Sequence, residues 1–155
     1  CIEGLSVDGH RYVDDAIFQG AKVIVHSKDI EKQPGIIYIK VADALDELDR
    51  VSNVFYDYPS KKMRVVGVTG TSGKTVVASM VKSVMDHYCK AAYMGTISLE
   101  YDGVEEQCPY TTPETLYVQK KLFDMARRGV KVVAMEVVMV WHLKELMQSI
   151  LILLF

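Results

Sequence analysis

The sequence has few of the features that mark secreted, membrane-spanning or nucleic-acid-binding proteins. Its three cysteines are an odd number without a Cys-x-x-Cys pair, which argues against a disulfide framework and a zinc site. No signal-peptide pattern opens the chain, and the apolar run at residues 150–155 is far too short to cross a bilayer. Eighteen basic and twenty acidic residues give a formal net charge of −2. We therefore expect a cytoplasmic monomer that binds neither nucleic acid nor membranes.

The length and composition are those of a small globular protein. The chain has 155 residues, of which 50% are hydrophobic and 25% charged, so a disordered chain is excluded. This length accommodates one ordinary domain, or a small domain with part of another. Because the chain begins at Cys1 rather than at Met, we expect it to be a fragment.

Short apolar strands alternate with amphipathic helices, a pattern that predicts an α/β fold with a mainly parallel sheet. Before Pro59 the pattern predicts a helix at 12–19, strands at 22–26 and 36–41, and a helix at 43–56. After Pro59 it predicts strands at 65–69, 92–99 and 130–137, a turn at 102–103, and helices from residue 74 and at 113–128.

The helix that begins at Lys74 has its apolar residues at helical spacing, so we expect these side chains to form a buried face. They are Val77, Met80, Val81, Val84, Met85 and Tyr88. The four histidines of the chain show no metal-ligand spacing, and we interpret them as solvated or core-edge residues.

The segment with the clearest chemistry is Gly-Val-Thr-Gly-Thr-Ser-Gly-Lys-Thr at residues 67–75, between a buried strand and a helix start. Glycines let backbone N–H groups turn toward phosphate oxygens, and a helix N-terminus favours negative charge. Lys74 would contact the β- and γ-phosphates, and the Thr75 hydroxyl would bind Mg²⁺. The general pattern G-x-x-x-x-G-K-[ST] has Val68 at its first glycine. The alternative is a glycine-rich turn with an exposed lysine, and nucleotide binding is our prediction.

The loop Gly-Thr-Ser-Gly-Lys-Thr at residues 70–75 resembles the ATP loop of the Mur ligases, which build the peptide stem of bacterial cell-wall precursors. Other motifs follow in that family's order and spacing, namely Asp8-Gly9-His10, Phe55-Tyr56, Pro59-Ser60, Met94-Gly95-Thr96, Thr111-Thr112-Pro113 and Ala134-Met135-Glu136-Val137. Together they resemble the tripeptide-forming (MurE-type) branch of the family. The resemblance implies a partial N-terminal UDP-substrate domain at 1–60 and the first half of a P-loop ATPase domain at 61–137, in a protein far longer than this chain.

The resemblance also implies roles for individual residues. Those assigned to ATP are Gly70, Thr71, Ser72, Gly73, Lys74, Thr75 and Val76. Those assigned to the UDP-muramoyl substrate are Leu5, Ser6, Val7, Thr111 and Thr112. Thr75 and Glu136 are assigned to Mg²⁺, and Lys74 and Glu136 to catalysis. From the residues alone, the alternatives are a surface turn at 5–7, a helix cap at 111–112, and an ordinary acidic residue at a strand end for Glu136.

The implied reaction joins an amino acid to UDP-N-acetylmuramoyl-L-Ala-D-Glu at the expense of ATP, with Mg²⁺ as cofactor. The substrate carboxylate attacks the γ-phosphate to give an acyl phosphate, which the incoming amine then displaces. The residues do not set which amino acid is added, and we expect this chain alone to be inactive. Two alternatives stay open: a non-catalytic nucleotide-binding module, and another ligase of the superfamily such as a folylpolyglutamate-type synthetase.

The sequence departs from the family after Val137. There the family continues with two serines, whereas this chain has Val138 and Met139. In a shifted reading frame, permitted codons from Met139 onward spell a peptide that resembles the family's continuation. We interpret residues 138–155 as a non-family tail produced by a frameshift, and the alternative is a genuine apolar tail helix.

Overall fold

The computed structural model describes residues 1–4, 7–95, 98–108 and 115–137, together with the backbone of residues 150–154. The chain divides into two compact units, Cys1–Leu48 and Asp49–Phe155, and the division falls within a helix, α2 (Ala44–Phe55). The predicted boundary between family domains at residue 60 stays a prediction. The second unit begins earlier than that residue because the segment after α2 packs on a later helix, with the Tyr56 and Phe123 ring centroids 5.6 Å apart.

The first unit is a small α/β arrangement around two parallel strands. After a 3₁₀ turn at Gly9–Tyr12, its elements are α1 (Val13–Phe18), β1 (Val23–His26) and β2 (Ile37–Lys40), followed by the start of α2 (Ala44–Phe55). The Asp43 carboxylate accepts the backbone N–H groups of Leu45 and Asp46 at 2.8 and 3.1 Å, which satisfies donors that a helix start leaves open. The predicted helices and strands of this region are confirmed.

The second unit contains a six-stranded sheet. Its elements are a 3₁₀ turn (Pro59–Lys62), β3 (Arg64–Thr69), α3 (Lys74–Met85), β4 (Ala91–Met94), β5 (Ser98–Tyr101), β6 (Val104–Gln107), α4 (Thr115–Arg127), β7 (Val132–Glu136) and β8 (Ile150–Leu154). The strand order is β6-β5-β4-β7-β3-β8. The strands β4, β7, β3 and β8 are parallel, and β5 pairs antiparallel with both β4 and β6. The prediction of an α/β fold with a mainly parallel sheet is confirmed.

Alternation along the strands gives the sheet two apolar faces. One face packs against α4. The strand side chains Val65, Met94, Val133 and Met135 are buried there together with Leu122 of α4. The other face is smaller and packs against α3, where Val68, Ala78, Tyr93 and Ala134 are buried with Val77 and Val81 beside them. A side chain on β4 or β7 therefore faces α3 only at every second position.

Three predictions need correction. The single strand at 92–99 is wrong, because β4 ends at Met94 and the chain turns back, with the Gly95 N–H donating to the Ser98 carbonyl at 2.8 Å. The buried α3 face is wrong in part: Met80, Val84 and Tyr88 are 63%, 58% and 81% exposed. The α3 side chains in the cluster against the sheet are Val77, Ala78 and Val81. The alternative of a tail helix is wrong for residues 150–154, which form β8 beside β3.

Candidate functional site

The phosphate loop lies where the sequence predicts it, between the end of β3 and the start of α3. Gly73 is the residue before the helix and has φ +78°, a conformation that favours glycine. Thr71 and Ser72 are exposed, and Lys74 is half-buried. The Lys74 ammonium donates to the Gly70 carbonyl at 2.7 Å, so this side chain lies back along its own loop. Loop amides, helix start and lysine are thus together, as an anion site requires.

Glu136 lies at the same edge of the sheet as this loop. It ends β7, which is the parallel neighbour of β3, and it pairs in register with Val68. Carboxyl ends of adjacent parallel strands meet at one edge, where ligands of α/β proteins bind. Glu136 also shares the α3 side of β7 with Ala134, since Val133, Met135 and Val137 are buried in the cluster against α4. The half-buried Glu136 therefore faces the helix that carries Lys74 and Thr75.

Tyr93 holds the Glu136 carboxylate on the side of the sheet that faces α3. The Tyr93 residue is 3% exposed, and its hydroxyl donates to Glu136 Oε1 at 2.6 Å. Burial, followed by the bond to Glu136, raises the pKa of Tyr93 above its ordinary value, so the phenol keeps its proton and donates it.

The residues at this edge fit Mg²⁺. Thr75 supplies a hydroxyl at the start of α3, and Glu136 supplies a carboxylate at the end of β7, so both are oxygen ligands. Magnesium is held by one or two such protein ligands when substrate phosphates and water complete its coordination. Among the residues that the structure describes, no three His, Cys, Asp or Glu side chains cluster as a metal cage. The oxygen ligands of Thr75 and Glu136 fit a magnesium ion whose remaining ligands are phosphate oxygens and water.

Of the residues assigned to the UDP-muramoyl substrate, the structure describes only Val7. Leu5, Ser6, Thr111 and Thr112 lie outside the described residues, so their assignment stays a prediction. Val7 is described: its side chain is 53% exposed, and its carbonyl accepts the Gly4 N–H at 2.9 Å. An exposed turn is compatible both with substrate contact and with the plain surface turn considered above.

The motif Asp8-Gly9-His10 forms a charged clasp in the first unit. The Ser27 and Lys28 N–H groups donate to His10 Nε2, so His10 Nδ1 carries the proton that it donates to the Asp8 carboxylate at 2.6 Å. The Lys28 ammonium bonds the other Asp8 oxygen at 2.8 Å. These bonds, that of Lys28 first, hold the pKa of Asp8 far below its usual range. The His10 side chain is 7% exposed, which agrees with the core-edge alternative that we predicted rather than with the solvated one.

A model of the Mur ligase middle domain matches residues 68–151, which is more than half of the 155-residue chain. The chain belongs to the Mur ligase family. The match continues past Val137, whereas the relatives below align over 88% of this chain. The assignment of residues 138–155 to a non-family tail stays a prediction.

Relatives with similar sequences are named as one Mur ligase, UDP-N-acetylmuramoyl-L-alanyl-D-glutamate–2,6-diaminopimelate ligase. The protein of Alkaliphilus metalliredigens is 36% identical over 138 residues, and that of Oceanobacillus iheyensis is 41% identical over 140 residues. Each alignment covers 88% of this chain and 28% of the relative. The chain therefore spans less than a third of the length of these relatives.

Solved Mur ligase structures share the fold. A structure of the same diaminopimelate ligase matches 83% of this chain and 26% of its own, with a TM-score of 0.65 at 21% identity. The MurF ligase of Thermotoga maritima in complex with ADP matches 87% of this chain and 27% of its own, with a TM-score of 0.53 at 18% identity. At such identities the likeness establishes the fold alone.

The sequence analysis assigns no site role to two residues that shape the site, Tyr93 and Gly95. It places both in the predicted strand at 92–99, and Gly95 also in the motif Met94-Gly95-Thr96. A signal was present, since a tyrosine between small and apolar residues, Ala92 and Met94, needs a partner for its buried hydroxyl. The identity of that partner, Glu136, follows only from the strand pairing, which places it on the same side of the sheet as Tyr93.

Proposed function

We propose that residues 70–76 bind the phosphates of ATP, with Mg²⁺ held by Thr75 and Glu136. The observation that carries this proposal is the juxtaposition of the loop lysine and the first helical hydroxyl of α3 with a carboxylate at the end of the adjacent parallel strand. Bound there, Mg²⁺ would offset negative charge on the phosphate oxygens. Lys74 would turn from the Gly70 carbonyl to a phosphate oxygen, a charge-assisted contact that is stronger than its present one.

We further propose that this site belongs to a ligase that adds an amino acid to UDP-N-acetylmuramoyl-L-Ala-D-Glu. The names of the relatives support this substrate and support diaminopimelate as the amino acid. In the longer protein, Lys74 and the loop amides would orient the γ-phosphate for attack by the substrate carboxylate. Residues 5–7 and 111–112 would contact the UDP-muramoyl substrate. The present chain would bind ATP without turnover, because it spans so little of its relatives.

Calorimetric titration of the 155-residue chain with ATP and Mg²⁺ tests whether the loop at residues 70–76 binds ATP. Lys74→Ala is expected to weaken ATP binding by about tenfold or more, because it removes a charge-assisted contact to phosphate. Lys82→Ala is the matched control, since Lys82 lies on the same helix and pairs with Asp86 at 2.8 Å away from the loop. Equal affinity of the Lys74 variant and the wild type would contradict the proposal, as would a folded chain that binds no ATP.

Titration with UDP-N-acetylmuramoyl-L-Ala-D-Glu distinguishes part of a ligase from a non-catalytic nucleotide-binding module. Binding of both ligands is expected, with no phosphate released when diaminopimelate is added. ATP binding without muramoyl affinity would favour a nucleotide-binding module. Release of phosphate that depends on both substrates would show that the chain is active by itself.

A further inference from the structure

Tyr93 places a hydroxyl group inside an apolar layer. Its ring packs with Val68, Ala78 and Ala134 between the sheet and α3. A phenylalanine would fill the same space, and the hydroxyl must be held by hydrogen bonds to avoid the cost of a buried polar group. The tyrosine is therefore explained by what its oxygen contacts rather than by packing.

The hydroxyl fixes a side chain at the edge of the sheet that carries the loop. It donates to Glu136 Oε1 at the end of β7. A tyrosine hydroxyl has one proton, and that proton goes to the carboxylate. Thr75 lies in the first turn of α3, the helix against which the Tyr93 ring packs, so the carboxylate is held on the side of the sheet that faces Thr75.

The backbone next to Tyr93 leaves room for this arrangement. Gly95 lies two residues further along the same chain, on the same side as Tyr93. A Cβ atom at Gly95 would come within 1.9 Å of the Tyr93 hydroxyl and 2.9 Å of Glu136 Oε1. Since both distances are below any real carbon contact, a side chain at 95 would push the hydroxyl away from the carboxylate.

We propose that Tyr93 is a positioning residue of the metal–nucleotide site, whose hydroxyl fixes the Glu136 carboxylate beside Thr75 for a divalent cation. The proposal rests on the nucleotide function proposed above. Partners that orient a metal ligand typically change metal affinity by 10- to 100-fold when they are removed. Tyr93 would thus act on the metal through Glu136, and its loss would leave the direct contacts between the loop and the phosphates in place.

The test uses Mn²⁺ in place of Mg²⁺, because carboxylate and hydroxyl oxygens suit both ions and bound Mn²⁺ is seen by electron paramagnetic resonance. Tyr93→Phe removes only the hydroxyl. We expect its Mn²⁺ affinity with saturating ATP to fall by about tenfold or more, while ATP binding in excess chelator stays as in the wild type. Tyr101→Phe is the matched control, a buried strand tyrosine on the α4 face, and it should change neither quantity. Unchanged Mn²⁺ affinity in Tyr93→Phe would overturn the proposal.

A double-mutant cycle separates positioning from a general effect on folding. Glu136→Gln keeps an oxygen that accepts from Tyr93 but removes the charge that binds the metal. If Tyr93 acts through Glu136, adding Tyr93→Phe to Glu136→Gln should change Mn²⁺ affinity little. The same factor in both backgrounds would overturn the proposal. Gly95→Ala gives a second route, since it should weaken Mn²⁺ binding by displacing the hydroxyl, and wild-type Mn²⁺ affinity in the folded variant would also overturn it.

The two proposals fail in different ways. If the folded wild type binds no ATP, the proposed function fails and the inference fails with it. If it binds ATP but Mn²⁺ adds nothing, the loop assignment stands, while the metal assignment and the role of Tyr93 are both overturned. If the wild type binds both ATP and Mn²⁺, and Tyr93→Phe binds Mn²⁺ with the same affinity, the metal site stands and the role of Tyr93 alone is overturned.

Discussion

Each of the two compact units is stabilised internally by a different kind of interaction. Among the described residues of Cys1–Leu48, the buried hydrophobic residues are only Val13, Ile24 and Ala44, while Phe18 is 93% exposed. Two-stranded sheets of this kind are marginal by themselves. The unit instead has the clasp of Asp8, His10 and Lys28, which ties its first turn to the end of β1.

The second unit, Asp49–Phe155, has an apolar core on both faces of its sheet. The larger cluster contains thirteen buried residues, among them Val65, Leu122 and Val133 at 1% exposure or less. Burial of apolar area contributes about 25 cal/mol per Å², whereas exposed ion pairs contribute about 0–1 kcal/mol each. The comparison teaches that the proposed nucleotide site lies on the more stable unit, and that the first unit should open at a lower free-energy cost.

The largest expected effect is a cavity in the second unit. Leu122→Ala should lower the free energy of unfolding by about 2–5 kcal/mol, because Leu122 is fully buried in the cluster against α4. Urea unfolding followed by circular dichroism measures the change. Leu116→Ala on the same helix is the control, since Leu116 is 44% exposed, and it should cost much less. Equal losses in the two variants would break the comparison.

A smaller effect is expected when the clasp of the first unit is weakened. The pKa of Asp8 is lowered in the folded chain, by the bond from Lys28 first and that from His10 next. Its contribution is therefore complete above the ordinary pKa of about 3.9 and is lost as the pH falls through the folded pKa. Asp8→Asn should speed amide exchange in the first unit at pH 7, and this difference should shrink below about pH 4.

Hydrogen exchange measured residue by residue resolves this prediction. Asp29→Asn is the control, because the Asp29 carboxylate pairs with Lys40 but is 93% exposed. Asp29→Asn should leave exchange in the first unit nearly unchanged. An effect of Asp8→Asn that is as large at pH 2 as at pH 7, or that spreads equally to the second unit, would contradict the assignment of the clasp.

The smallest effect is expected from an ion pair on the surface of the second unit. Lys82→Ala removes an i,i+4 pair with Asp86 on α3, and it should cost about 0.5 kcal/mol or less. Thermal unfolding at low and high salt measures it. A loss above about 1 kcal/mol would mean that surface charge also stabilises the second unit, and the contrast between the units would disappear.

The sequence was sufficient for most of the second unit because its signals are local. Gly70 to Thr75 combine glycine spacing with a helix start, and the turn at Asp102 and Gly103, with φ +48° and +78°, follows from residue type. What could not be predicted depends on pairing. The reversal of the chain after Met94 follows from the antiparallel pairing of β4 with β5. The bond between Tyr93 and Glu136 joins residues 43 positions apart, and only strand order brings them together.

In the first unit the same limit applies to charge. Asp8 and Lys28 are twenty positions apart, and neither residue shows by its type that it is paired. The exposure of Met80 and Val84 on α3 has a similar origin, because helical periodicity defines a face but not how much of that face the sheet covers.

The lack of space for a Cβ atom at Gly95 limits which mutations of codon 95 are tolerated. Every single-base change of a glycine codon that alters the amino acid without creating a stop introduces a residue with a Cβ atom, and none of these fits within 1.9 Å of the Tyr93 oxygen. Codon 95 has no conservative missense neighbour, whereas a tyrosine codon reaches phenylalanine in one step. In a random library, codon 95 should therefore be recovered almost only as glycine when metal-dependent ATP binding is selected.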